Sequence, residues 1–161
     1  MFLDEAALWL TQPNTATWRP IGSPMAVPTS KARGITARLN LMGAVDFATG
    51  DVQYREILGN TTGSDVVAFV DTLAAAATKR CPTVVVMDRA SVHTCKAVAA
   101  NRARWKKRGL TVVYLPPYSP ELNDMEGEWR VLKYHKLAVR SQTNKLQLRL
   151  AVGAASWGRV I

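Results

Sequence analysis

Three groups of acidic residues sit where they could do chemistry. Asp4 ends the stretch Met1-Phe-Leu-Asp, with Glu5 beside it. Asp88 follows the β-branched run Thr83-Val-Val-Val-Met87. The third group lies in Leu115-Pro-Pro-Tyr-Ser-Pro-Glu-Leu-Asn-Asp-Met-Glu-Gly-Glu-Trp129, which holds Glu121, Asp124, Glu126 and Glu128. Carboxylates are hard oxygen ligands, and a set of three suits Mg²⁺ or Mn²⁺, which keep water and accept phosphate oxygens. Two such ions about 3.5–4 Å apart can hold the attacking and the leaving oxygen of a phosphodiester. Lys plus Arg total 21 against 12 acids, a net charge of +9, so the chemistry would act on a polyanion, with nucleic acid first. Taken singly, Asp88 reads better as a turn residue or helix cap; it is the pairing with Asp4 and the acid-rich helix start downstream that favour metal.

The elements that must position these acids follow from periodicity. The first residues read as a strand ending in the Asp4–Glu5 pair. Residues 11–34 are rich in Thr, Pro, Ser and Gly and read as a loop or irregular hairpin. Ile35–Phe47 alternates as a strand, Thr49-Gly-Asp51 turns, and Val52–Leu58 returns. A helix follows, with Ser64 as its expected cap. Thr83–Met87 and Leu110–Leu115 are short buried strands, separated by a basic helix over Lys96–Arg108 that Gly109 stops. Ser119-Pro120 predicts a helix running towards Leu137, and another covers Lys145–Trp157. The order predicts an α/β fold: a mixed five-stranded sheet, with a three-strand meander plus two crossover strands, flanked by helices. Sites in open sheets form at the carboxyl ends of strands. Asp4 and Asp88 would therefore meet if the first and fourth strands are neighbours.

Spacing does not choose the third acid. On the helix after Ser119, Leu122, Met125, Trp129 and Leu132 form the expected buried stripe. Glu126 and Glu128 flank it about equally, at roughly 100° per residue. Glu121 complements the helix start, and Asp124 points to solvent. Cys81 and Cys95 lack metal-ligand spacing and read as buried or incidental thiols. The N-terminus has no basic leader region, and no apolar run reaches membrane length, so a soluble, intracellular chain is expected.

Three blocks resemble the catalytic domain of DDE transposases, in the bacterial insertion-sequence branch of the mariner superfamily. They are Phe2-Leu-Asp-Glu5 with Trp18-Arg-Pro-Ile-Gly22, Val84-Val-Val-Met-Asp-Arg-Ala-Ser-Val-His93, and LPPYSPELNDMEGEW, which is similar to the family pattern LPPYSPxLNPIExxW. Between Asp4 and Asp88 lie 83 residues, and between Asp88 and Glu126 lie 37, which also fits. The resemblance implies an RNase H-like fold over residues 1–161 as a single catalytic domain. It implies a metal-dependent endonuclease and strand transferase acting on transposon-end and target DNA, with two Mg²⁺ (or Mn²⁺) ions. It places the acidic triad on Asp4, Asp88 and Glu126, breaking the tie with Glu128.

The family usually has Asn where this chain has Arg89, and Pro where it has Asp124. Its members carry an N-terminal helix-turn-helix that reads the element's ends, so the chain resembles a catalytic fragment of a longer, homodimeric transposase. The implied location is the bacterial cytoplasm, at the nucleoid. Glu5 matches an acid beside the first Asp. His93 reads as supporting the site rather than holding metal.

Arg102, Arg104, Lys106 and Lys107 form the densest basic run, which is either a solvated face or a phosphate-contacting one. Arg130, Lys133 and Lys136 follow Glu126 and are candidates for DNA contact, and Arg130 could pair with Glu126 at i+4. Trp9, Trp18 and Trp129 read as packing residues. The alternatives are an inactive remnant that binds DNA or a partner through its basic faces, or a host nuclease acting on RNA–DNA hybrids.

Overall fold

Apolar side chains stand on both faces of the sheet, and helices cover each. A computed structural model of the chain describes residues 1–10, 21–22, 38–137, 142, 144–155 and 157–161. Trp18 and nearly all of the expected 11–34 loop lie outside these residues. The strands are β1 (Phe2–Trp9), β2 (Arg38–Val45), β3 (Val52–Ile57), β4 (Thr83–Met87), β5 (Leu110–Tyr114) and β6 (Arg159–Val160), in the order β5-β4-β1-β2-β3-β6. β1, β2 and β3 form the antiparallel meander, and β4 and β5 add in parallel beside β1. β6 is a sixth strand beyond the five expected. Its two residues are too few for a periodic signal.

The pleat sorts the core into two clusters. Leu3, Met42, Val85 and Met87 meet α1 (Gly63–Ala76) and α3 (Lys96–Arg108) through Phe69, Val70 and Trp105. Ala6, Leu8, Leu41 and Tyr54 meet α4 (Asp124–Val131) and α5 (Lys145–Ala154) through Met125, Trp129 and Leu148. Between them, α2 (Ser91–Thr94) leads out of β4.

Two helix starts differ from expectation. α1 is capped by Thr62, not Ser64. The Thr62 side chain accepts from Asp65 N, and Asp65 reciprocates to the Thr62 backbone, a capping box. After Ser119 the chain makes only a single 3₁₀ turn over Pro120–Leu122. Asn123 then caps α4, its side chain accepting from Met125 N. The break turns Leu122 out of the stripe, leaving it 48% exposed. Beyond Val131 the helix widens to a π turn over Leu132–Lys136. Cys81 is exposed rather than buried, and Cys95 is half-buried; both are free thiols.

Gly109 ends α3 as the sequence implied, with φ +98. A Cβ there would lie 2.4 Å from the Thr78 carbonyl oxygen. Gly109→Ala therefore combines backbone strain with a clash, and is expected to cost at least about 1–3 kcal/mol, read as a lower denaturation midpoint in urea.

Candidate active site

The parallel register of β1 and β4 pairs Phe2 with Val86 and Leu3 with Met87. The next residues are Asp4 and Asp88. Their strands are neighbours, as the site required. One expectation needs correcting: Asp4 is not at a strand end. β1 continues to Trp9 because β2 pairs with it along its whole length. The site forms because β4 stops at Met87 while β1 runs on, which opens space beside Asp4.

Asp88 turns the chain. Its Oδ1 accepts from Ala90 N at 2.9 Å, so it is a turn residue as well as a candidate ligand. That turn delivers α2 and His93. His93 is wholly buried, with Nδ1 at 2.6 Å from Asp88 Oδ1 and Nε2 at 2.8 Å from Glu5 Oε2. Nε2 lies close to the Glu5 carboxylate, whose charge helps hold the ring. Burial pulls the imidazole pKa down, but the two carboxylates more than offset it and raise it to about 9. His93 is therefore a cation at neutral pH. Tyr114 Oη donates to the His93 carbonyl at 2.8 Å and fixes the backbone of α2.

The pleat sends Asp4 to the opposite face from Glu5, towards α4. Asp4 is 9% exposed, and Trp129 Nε1 donates to its Oδ2 at 3.2 Å. α4 can approach because β2 carries Gly43 directly opposite Asp4. A Cβ at Gly43 would lie 2.7 Å from Met125 Cε and 2.9 Å from Trp129 Cη2. Burial pushes the Asp4 carboxyl up, to about 7; the Glu5 backbone amide opposes this, and the charges of Glu126, Glu5 and Asp88 add to the rise. Glu126 lies on the first turn of α4, one turn before Trp129, with its side chain in solvent. The i+4 pair expected with Arg130 does not form. Glu128 accepts from Trp157 Nε1 at 3.1 Å and serves packing.

Among the described residues, no group of three or more His, Cys, Asp or Glu side chains is arranged to hold a metal ion in this conformation. The donors nevertheless suit a hard cation. They are carboxylate oxygens from β1, the end of β4 and the start of α4, and the charges of Glu126 and Asp88 add to the rise that burial gives the Asp4 pKa.

The sheet separates the basic candidates. Arg130, Lys133 and Lys136 share the α4 segment with Glu126, while Arg102, Arg104, Lys106 and Lys107 are on α3, across the sheet. Arg104 is tied to Asp71 at 2.7 Å. Arg102 donates to the Val112 carbonyl at 3.2 Å and lies over the Tyr114 ring. Lys106 and Lys107 project into solvent. Sequence reasoning read Trp129 only as core and missed its bond to Asp4. The i+3 spacing from Glu126 was the available signal.

A mixed sheet with acids gathered around the adjoining β1 and β4, helices on both faces and a meander at one side is an RNase H-like α/β domain. Solved structures share it. The Mos1 transposase paired-end complex with left transposon end superposes with TM-score 0.69 at 18% identity, over 95% of this chain and 46% of that one. The Mos1 mariner paired end complex with Mn gives 0.71 at 16%, over 95% and 46%. The catalytic core domain of BIV integrase gives 0.52 at 20%, over 73% and 72%. The chain thus spans just under half the length of the Mos1 chains. No curated protein matches the sequence. Residues 1–149 match the DDE superfamily endonuclease family, and the chain belongs to it. Among the described residues, no helix is long and apolar enough to cross a membrane.

Proposed function

We propose that this chain is a transposase catalytic domain, a metal-dependent endonuclease and strand transferase for DNA at transposon ends. Asp4, Asp88 and Glu126 are the residues that would hold two Mg²⁺ or Mn²⁺ ions. The observation that carries this reading is the gathering of carboxylates from three separate elements around one sheet position, on a chain of charge +9. When bound, such ions would neutralise phosphodiester charge and activate first water, then a 3′-hydroxyl.

The chain's own residues prepare that site. Trp129 orients Asp4 by one hydrogen bond. The His93 cation holds Asp88 through Oδ1 and leaves Oδ2 for a ligand. Glu126 stands in solvent, able to turn inward when a cation draws it. Arg130, Lys133 and Lys136 flank Glu126 and would meet the DNA backbone near the cut. Lys106 and Lys107 would take more distant phosphates. The working protein would be a homodimer in the bacterial cytoplasm, acting on transposon-end and target DNA.

Nicking of supercoiled plasmid in Mg²⁺ tests the reading. Asp88→Asn keeps an Oδ1 acceptor for Ala90 and His93 but removes one charge that holds the His93 cation, so it should stay folded, with a cooperative transition at a somewhat lower melting temperature. Its nicking rate should fall by roughly a thousandfold, the effect of losing several kcal/mol of charge stabilisation. Undiminished nicking would overturn the assignment. A wild-type chain that binds DNA without ever nicking it would favour the inactive-remnant reading.

A further inference from the structure

Beside Asp88 opens a groove of about 380 Å³, walled by Arg89, Leu115, Pro116, Pro117, Tyr118 and Asn123. Two features of it are unexplained by folding. Tyr118 is 100% exposed, and its backbone has φ 58, a conformation that side-chain-bearing residues seldom adopt. It is the single positive-φ non-glycine among the described residues. A large aromatic ring in left-handed backbone, with no packing to compensate, is a stability cost held for another use. The prolines on both sides of Tyr118 and Ser119 limit how far the loop can relax.

Arg89 is the second feature. It follows a candidate metal ligand, yet it forms no ion pair with Asp88. Its Nε donates to the Leu115 carbonyl at 3.2 Å, and its guanidinium lies 5.9 Å from the Tyr114 ring centre. One edge is thereby anchored. Its Nη groups have no hydrogen bond or ion pair among the described residues, and the side chain lines the groove.

We propose that this groove takes one unpaired nucleotide adjoining the phosphate to be cut. The base stacks on Tyr118 against the Leu–Pro wall, and Arg89 binds its phosphate. This rests on the reading of the chain as a DNA-cutting enzyme. An aromatic face and an anchored guanidinium are the two elements that single-stranded nucleic acid sites combine. The groove is continuous with Asp88, so a nucleotide in it would lie next to the reacting phosphate. An unpaired nucleotide fits better than duplex because stacking on Tyr118 requires an exposed base face.

The test compares two DNAs in Ca²⁺: a blunt duplex, and the same duplex with a short single-stranded overhang carrying 2-aminopurine. The overhang should strengthen wild-type binding, and 2-aminopurine emission should be quenched. Tyr118→Ala should weaken overhang binding roughly ten- to hundredfold and restore emission, leaving blunt-duplex binding unchanged. Tyr118→Phe should behave as wild type. Tyr118→Gly should lose the same binding with a melting temperature equal to or above wild type, which separates ligand binding from folding. Arg89→Ala should lower the salt dependence of overhang binding by about one phosphate contact. If neither Tyr118→Ala nor Tyr118→Gly changes overhang affinity or emission while plasmid nicking persists, the subsite is wrong and the enzyme reading stands. If the wild-type chain binds neither DNA, both fail.

Discussion

Asp4→Asn is expected to abolish Mg²⁺-dependent nicking and, in metal-free buffer at pH 8, to raise the melting temperature. Both effects come from one cause. Asp4 is buried, and the charges of Glu126, Glu5 and Asp88 add to the effect of burial, holding its pKa near 7 against an ordinary 3.8. The folded chain thus binds the Asp4 proton more tightly than the unfolded chain does. Stability from this carboxyl is full below about pH 4 and is lost as pH rises through about 7. Asparagine copies the protonated form and still accepts from Trp129. Its gain should be largest above pH 7 and vanish near pH 4. For a chain of this size each kcal/mol moves the melting point by about 2–4 °C. The lost ligand should cost activity roughly a thousandfold or more. A variant that is more stable and inactive is the signature of a site strained to hold cations. One that is less stable at pH 8 would show that Asp4 is a structural acid.

His93→Ala should be the most damaging substitution for folding. The ring is buried between Glu5 and Asp88, and removing it leaves two carboxylates facing a void. Breaking a fully buried pair costs about 3–5 kcal/mol, and since Asp88 is half exposed, the loss here should be nearer the lower end. The sign of the pH dependence is fixed by the shift from 6.5 to about 9. The folded state binds this proton more tightly, so the stabilisation is full below about pH 6.5 and is lost as pH rises through 9. Urea midpoints of wild type and variant should therefore differ most below pH 6.5 and converge above pH 9. An equal gap at both ends would mean that His93 acts by packing alone.

Much of this site was legible because its signals are local. The run Thr83–Met87 ending in Asp88, and the basic helix stopped at Gly109, each show in a few residues. The adjacency of Asp4 and Asp88 was conditional on the first and fourth strands being neighbours, and the β1–β4 pairing meets that condition. What was illegible depends on partners distant in sequence. Glu5-Ala-Ala is poor strand sequence, so β1 looked finished at Asp4; eight pairs with β2 override that preference. The α-helix expected from Ser119 starts later because the Asn123 side chain, not that of Ser119, caps it, and Pro120 opens a 3₁₀ turn instead. Thr62 was passed over for Ser64, although Thr62-Gly-Ser-Asp65 is the capping-box pattern. Position on α4 never separated Glu126 from Glu128. The structure adds a reason: Glu128 is taken by Trp157, while Glu126 is free and raises the Asp4 pKa.

In the proposed function Asp4, Asp88 and Glu126 together hold divalent cations. Calorimetric titration of Mn²⁺ into the metal-free chain at pH 8 tests it directly. Binding should be seen in the wild type, retained in Asp124→Asn and Glu128→Gln, and lost in Asp4→Asn, Asp88→Asn and Glu126→Gln. Wild-type binding that survives Glu126→Gln unchanged would contradict it.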